Sequence, residues 1–89
     1  MKIKDGFILQ DMGTSHLAVA VGDLADSFTS LVKLNSTGAF LWQKSLSDTT
    51  PEALAKALVD AYGIDYDLAM RDTLAFVKIL EDNGILDND

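Results

Sequence analysis

The sequence contains no cysteine, and it has only one histidine and one proline among its 89 residues. Without cysteine the chain has no disulfide framework, no thiolate nucleophile and no cysteine-ligated zinc or iron–sulfur site. Apolar residues never run together over the roughly 18 positions that a membrane-spanning helix needs, and residues 1–6 lack the apolar stretch of a signal peptide. We therefore predict a cytoplasmic protein that is neither exported nor inserted into a membrane.

Basic residues are also scarce. Seven Lys and Arg stand against fourteen Asp and Glu, which gives a formal net charge of −7. The imbalance lies in the second half, because residues 47–89 hold ten acids and three bases whereas residues 1–46 hold four of each. A negative field repels phosphate backbones and anionic lipid surfaces. This charge counts against nucleic acid and membranes as partners.

Residues able to catalyse a reaction are few and scattered. His16 is the only histidine, and the serines and acids lack the spacing of any nucleophile or metal motif. The six glycines occur singly, so no segment has the pattern of a phosphate-cradling loop. The acids of the C-terminal third lack the alternating oxygens and central glycine of a calcium loop, and helix capping explains them better. We predict no enzymatic activity, no cofactor and no metal.

An apolar period of two predicts three strands in the first part of the chain. The alternating residues are Ile3, Phe7 and Leu9, then Leu17, Val19 and Val21, and finally Phe28, Val32 and Leu34. The separating segments 11–14 and 22–26 contain the glycine and aspartate that tight hairpins need. We therefore expect an antiparallel three-stranded meander. His16 is one residue out of phase with Leu17 and is expected to face solvent.

Capping signals predict three helices after the strands. Asn35 and Ser36 are good N-cap residues for a helix from about Thr37 to Leu46. Thr50-Pro51-Glu52 supplies a cap hydroxyl, a first-turn proline and an acid at the positive helix end, and Gly63 suits the end of this second helix. Asp65 is expected to cap a third and longest helix, which runs to about Asn83 before Gly84.

Helical spacing predicts the inward side chains. In the second helix they are Leu54, Leu58, Ala61 and Tyr62, and in the third they are Ala69, Met70, Thr73, Phe76, Val77 and Leu80. Trp42, spaced with Ala39 and Leu46, is expected to pack in the core rather than to contact a ligand. Ile85 and Leu86 then pack the tail against the body. A chain this short, without repeat or linker, predicts one domain over residues 1–89, in the order β-β-β-α-α-α.

Three segments taken together resemble the PqqD family. They are Leu31-Val32-Lys33-Leu34-Asn35-Ser36-Thr37-Gly38 leading to Trp42, then Thr50-Pro51-Glu52, and finally Leu80-Glu81-Asp82-Asn83-Gly84-Ile85-Leu86. Together with the strand meander that precedes them, they extend the likeness over nearly the whole chain. The segment 45–50 departs from the Asp-Gly turn that family members often carry between the first two helices.

This resemblance implies an α+β, winged-helix-like domain in which a three-stranded antiparallel meander precedes a three-helix bundle. It also implies a function as a peptide chaperone. Such a domain binds the leader of a ribosomally made precursor peptide and presents it to a modifying enzyme, often a radical SAM protein. The domain itself carries no cofactor.

The resemblance further implies that the leader adds as a fourth strand beside the third. An edge strand offers unpaired N–H and C=O groups to an incoming peptide. The edge residues are Thr29, Ser30, Leu31, Val32, Lys33 and Leu34. The third helix has a second stripe, separate from its core stripe, formed by Arg71, Leu74, Ala75 and Lys78. With Lys33, the two bases of this stripe form a positive patch suited to acidic leader residues, or simply a solvated surface.

A winged-helix DNA-binding regulator is the main alternative, since similar elements serve that purpose. Such a regulator requires a basic recognition helix, whereas the third helix contains four acids in addition to Arg71 and Lys78. Exposed strand edges also permit self-pairing, so the sequence leaves both a monomer and a homodimer open.

Overall fold

The computed structural model describes residues 1–22 and 32–87. Its elements are β1 Lys2–Ile3, β2 Phe7–Asp11, β3 His16–Ala20, β4 Val32–Leu34, α1 Ser36–Lys44, α2 Pro51–Tyr62, α3 Tyr66–Asp82 and β5 Leu86–Asp87. The predicted α+β class is confirmed, because an antiparallel sheet of order β2-β3-β4 precedes three helices. The predicted third strand is described only from Val32, so Phe28 lies outside the described residues. None of the described helices is long and apolar enough to cross a membrane.

The register of the sheet decides which side chains face the helices. Ala18 lies opposite Leu9 of β2 and opposite Val32 of β4, and it is fully buried. The predicted phase of the second strand, with Leu17 and Val19 inward, was therefore wrong. Residues directly opposite each other share a face of the sheet. Leu9 and Val32 pack toward the helices, so Ala18, which lies between them, faces the helices as well. Leu17 and Val19 consequently lie on the outer face of the sheet.

The two ends of the described chain form a separate two-stranded sheet that the sequence did not predict. Ile3 pairs with Leu86 rather than continuing the strand that contains Phe7. The turn at Gly6, where φ is 100°, separates the two segments. A backbone bond from Ile3 N to Ser45 O, 2.9 Å long, ties this sheet to the end of α1. Leu86 is buried, which confirms that the tail packs against the body.

The N-terminal ammonium makes an ion pair at the protein surface. It donates to Asp48 Oδ1 over 2.6 Å and to the carbonyl oxygen of Thr49 over 3.0 Å. The hydrogen bond from the ammonium, followed by its charge, lowers the pKa of Asp48. The side chain of Asp48 is well exposed, so this pair contributes little to the overall stability.

Two of the three predicted helix caps form. The side chain of Asn35 accepts a hydrogen bond of 2.8 Å from Gly38 N, and Thr50 Oγ1 accepts one of 3.1 Å from Ala53 N. Gly63 ends α2 with a φ of 65°, in the left-handed region. Asp65 occupies the N-cap position of α3 as predicted, but its side chain makes no capping hydrogen bond.

Helix α1 ends earlier than predicted. Ser45 N donates to the carbonyl oxygens of Leu41 and Trp42, and Ser45 Oγ donates to Leu41 O over 2.8 Å. The buried serine thus closes the helix at Lys44. Leu46 lies beyond this end and is half exposed, so the predicted packing of Leu46 beside Trp42 was wrong.

A cluster of buried apolar residues joins the described strands and helices. Trp42 is 1% exposed, which confirms its predicted place in the core. In α3 the buried residues are Ala69, Thr73, Phe76, Val77 and Leu80, as predicted, and Met70 packs at their margin. In α2 Leu54, Ala55 and Leu58 are buried, whereas Ala61 and Tyr62 are exposed and were wrongly predicted to face inward. Val59, in the last turn of the same helix, is partly buried against this cluster.

Candidate functional site

Strand β4 is an edge of the three-stranded sheet. It pairs with β3 on one side, and no strand of the described ranges 1–22 and 32–87 lies against its other side. Val32 and Leu34 are buried on the helix-facing side of the sheet, whereas Lys33 is exposed on the opposite side. The outward backbone N–H and C=O groups of this strand form a template for a further strand.

A groove of about 240 Å³ runs beside this edge. Its lining residues come from the end of β4, from the start of α1 and from one side of α3: Lys33, Leu34, Asn35, Thr37, Gly38, Asp72, Ala75, Phe76 and Ile79. Phe76 belongs to the core and forms an apolar floor, while Ile79 is 41% exposed and Ala75 is exposed. The groove therefore combines an open strand edge with an apolar wall.

Gly38 lines the groove from the first turn of α1. A Cβ atom at this position would lie 3.2 Å from the Cβ of Leu34 and 3.4 Å from Asn35 Oδ1. The absence of a side chain thus permits the first turn of α1 to approach β4. The hydrogen bond from Gly38 N to Asn35 Oδ1 holds the same turn.

The structure brings together some of the site residues predicted from the sequence. Lys33, Leu34 and Ala75 line the groove. Arg71, Leu74 and Lys78 are exposed on α3 but are absent from the groove lining. Of the other predicted edge residues, Val32 faces the core, and Thr29, Ser30 and Leu31 lie outside the described residues.

Sequence reasoning missed Asp72 and Ile79 as groove residues and assigned Phe76 only to the core. Asp72, Ala75, Phe76 and Ile79 are spaced by three, one and three residues, which places them on one side of α3. This stripe is shifted by one residue from the predicted stripe that contains Arg71 and Leu74. The available signal was that Ala75 and Ile79 border the core stripe directly.

The charges around the groove are largely balanced by neighbours. Lys78 Nζ lies 3.3 Å from Asp82 Oδ2, and Arg71 Nε lies 4.0 Å from Asp72 Oδ1. Exposed pairs of this kind contribute little stability, but they reduce the positive potential along α3. Lys33 has no such carboxylate within 4.0 Å among the described residues. Helix α3 consequently lacks the basic face that a DNA recognition helix requires.

His16 lies at a second, wider opening of about 390 Å³ between the sheet and α1. Its lining includes Leu9, Asp11 and Phe40. His16 is half-buried and shares the face of Ala18, so the expectation that it faces solvent was wrong for the same reason as the phase of β3. Within residues 1–22 and 32–87, no group of three or more His, Cys, Asp or Glu residues is arranged to hold a metal ion.

The fold has close counterparts among solved structures. One is described as TbiB1 in complex with the TbiA(beta) leader peptide. It is 19% identical and has a TM-score of 0.75, over 100% of this chain and 98% of the other. Another is described as lasso peptide synthetase B1 complexed with the leader peptide. It is 23% identical and has a TM-score of 0.72, over 94% of this chain and 93% of the other.

At the level of sequence, the chain matches a family model but no individual curated protein. The family model for coenzyme PQQ synthesis protein D, PqqD, matches residues 7–86, which include the sheet β2-β3-β4 and all three helices. This chain therefore belongs to the PqqD family.

Proposed function

We propose that this domain binds the leader segment of a ribosomally made precursor peptide and presents it to a modifying enzyme. The observation that carries the proposal is the groove between α3 and the edge of β4 that no strand of the described residues covers. Membership of the PqqD family supports it. Two proteins of the same fold, each solved with a leader peptide, support it as well.

Strand addition supplies the general part of the affinity. An extended leader beside Val32–Leu34 pairs its backbone with the outward N–H and C=O groups of β4. Each such hydrogen bond contributes about 0.5 to 1.5 kcal/mol. Because β4 is only three residues long in the described chain, these bonds are few. Side chains that enter the groove must therefore supply much of the remaining affinity and nearly all of the selectivity.

Thr29, Ser30 and Leu31, which precede β4 in the sequence and lie outside the described residues, also belong to the segment that we propose contacts the leader. Arg71, Leu74 and Lys78, which are exposed on α3, are candidate contacts for leader residues that extend beyond the groove. The domain acts here as a binding partner rather than as a catalyst. The chemistry belongs to the modifying enzyme, for which we propose a radical SAM protein, and a cytoplasmic location accompanies this proposal.

The proposal is tested by NMR titration of the labelled domain with leader segments of candidate precursor peptides. We expect selective shifts of the Val32–Leu34 amides and of the α3 residues that line the groove. Substitution Ala75→Trp fills the groove from an exposed position and should abolish binding. Ala61→Trp makes the same change at an exposed position of α2 and should leave binding unchanged.

Two outcomes contradict the proposal. Leader binding that is unaffected by Ala75→Trp, in a variant with an unchanged circular dichroism spectrum, would place the peptide elsewhere. Shifts along α3 with duplex DNA, and none with any leader, would favour the regulator instead. The ion pairs of Arg71 and Lys78 and the net charge of −7 make that second outcome unexpected.

A further inference from the structure

The register of the sheet fixes where each side chain of an added strand points. Gln10 lies opposite Leu17, and Leu17 lies opposite Lys33. These three residues form one row across the outer face of the sheet. A leader residue that pairs opposite Lys33 joins the same row, and its side chain lies beside the lysine.

The residues on either side of that leader position point in the opposite direction, toward the helices. They join the rows of Val32 and Leu34 on the helix-facing side of the sheet, where Leu34 lines the groove. There they meet Phe76 and Ile79, which are apolar. Asp72 lies at the same groove with its side chain 42% exposed, and it repels a carboxylate that enters from the leader.

Lys33 is the charged residue that distinguishes the outer row. Its ammonium has no carboxylate within 4.0 Å among the described residues, whereas Arg71 and Lys78 each have one. An acid directly opposite a lysine across a strand pair is stabilising, and a second base there is destabilising. The two faces of an added strand thus require different chemistry.

We propose that the leader segment bound at this edge carries an acidic residue opposite Lys33, flanked on both sides by apolar residues that enter the groove. This inference rests on the proposed strand addition. It assigns the charge selectivity to Lys33 and not to Arg71 or Lys78. A shift of the leader by one residue places the acid in the groove beside Asp72 and the apolar residues in solvent, so the same pattern also fixes the register.

The test is selection of a displayed library of random peptides on the immobilised full chain, on Lys33→Glu and on Lys56→Glu. Lys56 is an exposed base of α2, which makes it the matched control. We expect the unaltered chain and Lys56→Glu to enrich an apolar–acidic–apolar pattern. Lys33→Glu should instead enrich an apolar–basic–apolar pattern.

The affinities of synthetic versions of the enriched peptides give the size of the Lys33 effect. The acidic peptide should lose about two- to five-fold in affinity for Lys33→Glu, which corresponds to the usual strength of a cross-strand charge pair. Exchange of its acid for lysine should restore the loss. The neutral variant Lys33→Gln should bind both peptides equally, and it serves as a second readout should the charge reversal disturb the fold.

The possible failures are distinguishable. Peptides that shift the β4 amides but keep the same acid on Lys33→Glu would overturn the inference and leave the proposed function standing. A selection that enriches no peptide, or only peptides that leave the β4 amides unshifted, would overturn the proposed function together with the inference.

Discussion

The wall of the groove makes Ile79 the most informative position for a binding measurement. Complete burial of an isoleucine side chain contributes about 1.5 to 3 kcal/mol. Ile79 is 41% exposed in the free domain, so a bound leader can bury at most this fraction of its surface. The product is about 0.6 to 1.2 kcal/mol, which is about three- to eight-fold in Kd for Ile79→Ala.

Leu74 provides the matched comparison because it is also half exposed on α3, at 50%, but does not line the groove. Leu74→Ala distinguishes the stripe predicted from the sequence from the stripe seen in the groove. Kd values for both variants come from fluorescence anisotropy with one labelled leader, and thermal unfolding serves as the folding control. An Ile79→Ala variant that binds as tightly as the unaltered domain, while Leu74→Ala weakens binding, would refute the assignment of the groove wall.

Three further predictions concern stability. Thr73 Oγ1 is buried with no hydrogen-bond partner among the described residues, so Thr73→Val should raise the free energy of unfolding in urea by about 1 kcal/mol or more; a decrease would show that the hydroxyl has a partner. Thr50→Ala removes the cap bond to Ala53 and should lower it by about 1 kcal/mol, whereas Asp65→Ala should lower it less because Asp65 makes no such bond. The ion pair that lowers the pKa of Asp48 stabilises the fold at pH values above 3.8, the ordinary pKa of this group. This stabilisation is lost as the pH falls through the lowered pKa. Asp48→Asn should therefore lower Tm slightly at pH 7 and not at low pH, and an equal loss at both would contradict the ion pair.

The sequence was informative where a local signal determines the structure. Asn35 and Thr50 cap their helices through their own side chains, and Gly63 ends α2 because its φ is positive. Such signals involve neighbours within about four residues and require no knowledge of tertiary contacts. The start of each helix, and the order in which the three-stranded sheet precedes three helices, could therefore be predicted.

Other features depend on partners distant in the sequence. The phase of β3 follows from what lies opposite Ala18, and a period of two admits either face. The pairing of Ile3 with Leu86 joins the two ends of the described chain, which no local pattern reveals. The groove depends on the same kind of information, because the side of α3 that meets β4 is decided by packing. A shift of one residue along α3 replaces the predicted Arg71, Leu74 and Lys78 with Asp72, Phe76 and Ile79.

The edge of β4, which no strand of the described residues covers, offers the same backbone groups to a second copy of the chain as to a leader. A charged residue on a short edge strand disfavours pairing between identical strands, because each copy brings the same charge to the contact. Lys33 has this effect on β4, since a second Lys33 close to the first is repulsive. An acid on a leader strand converts the repulsion into attraction. Under the proposed strand addition, the same exposed lysine would therefore disfavour pairing between identical copies and favour an acidic leader.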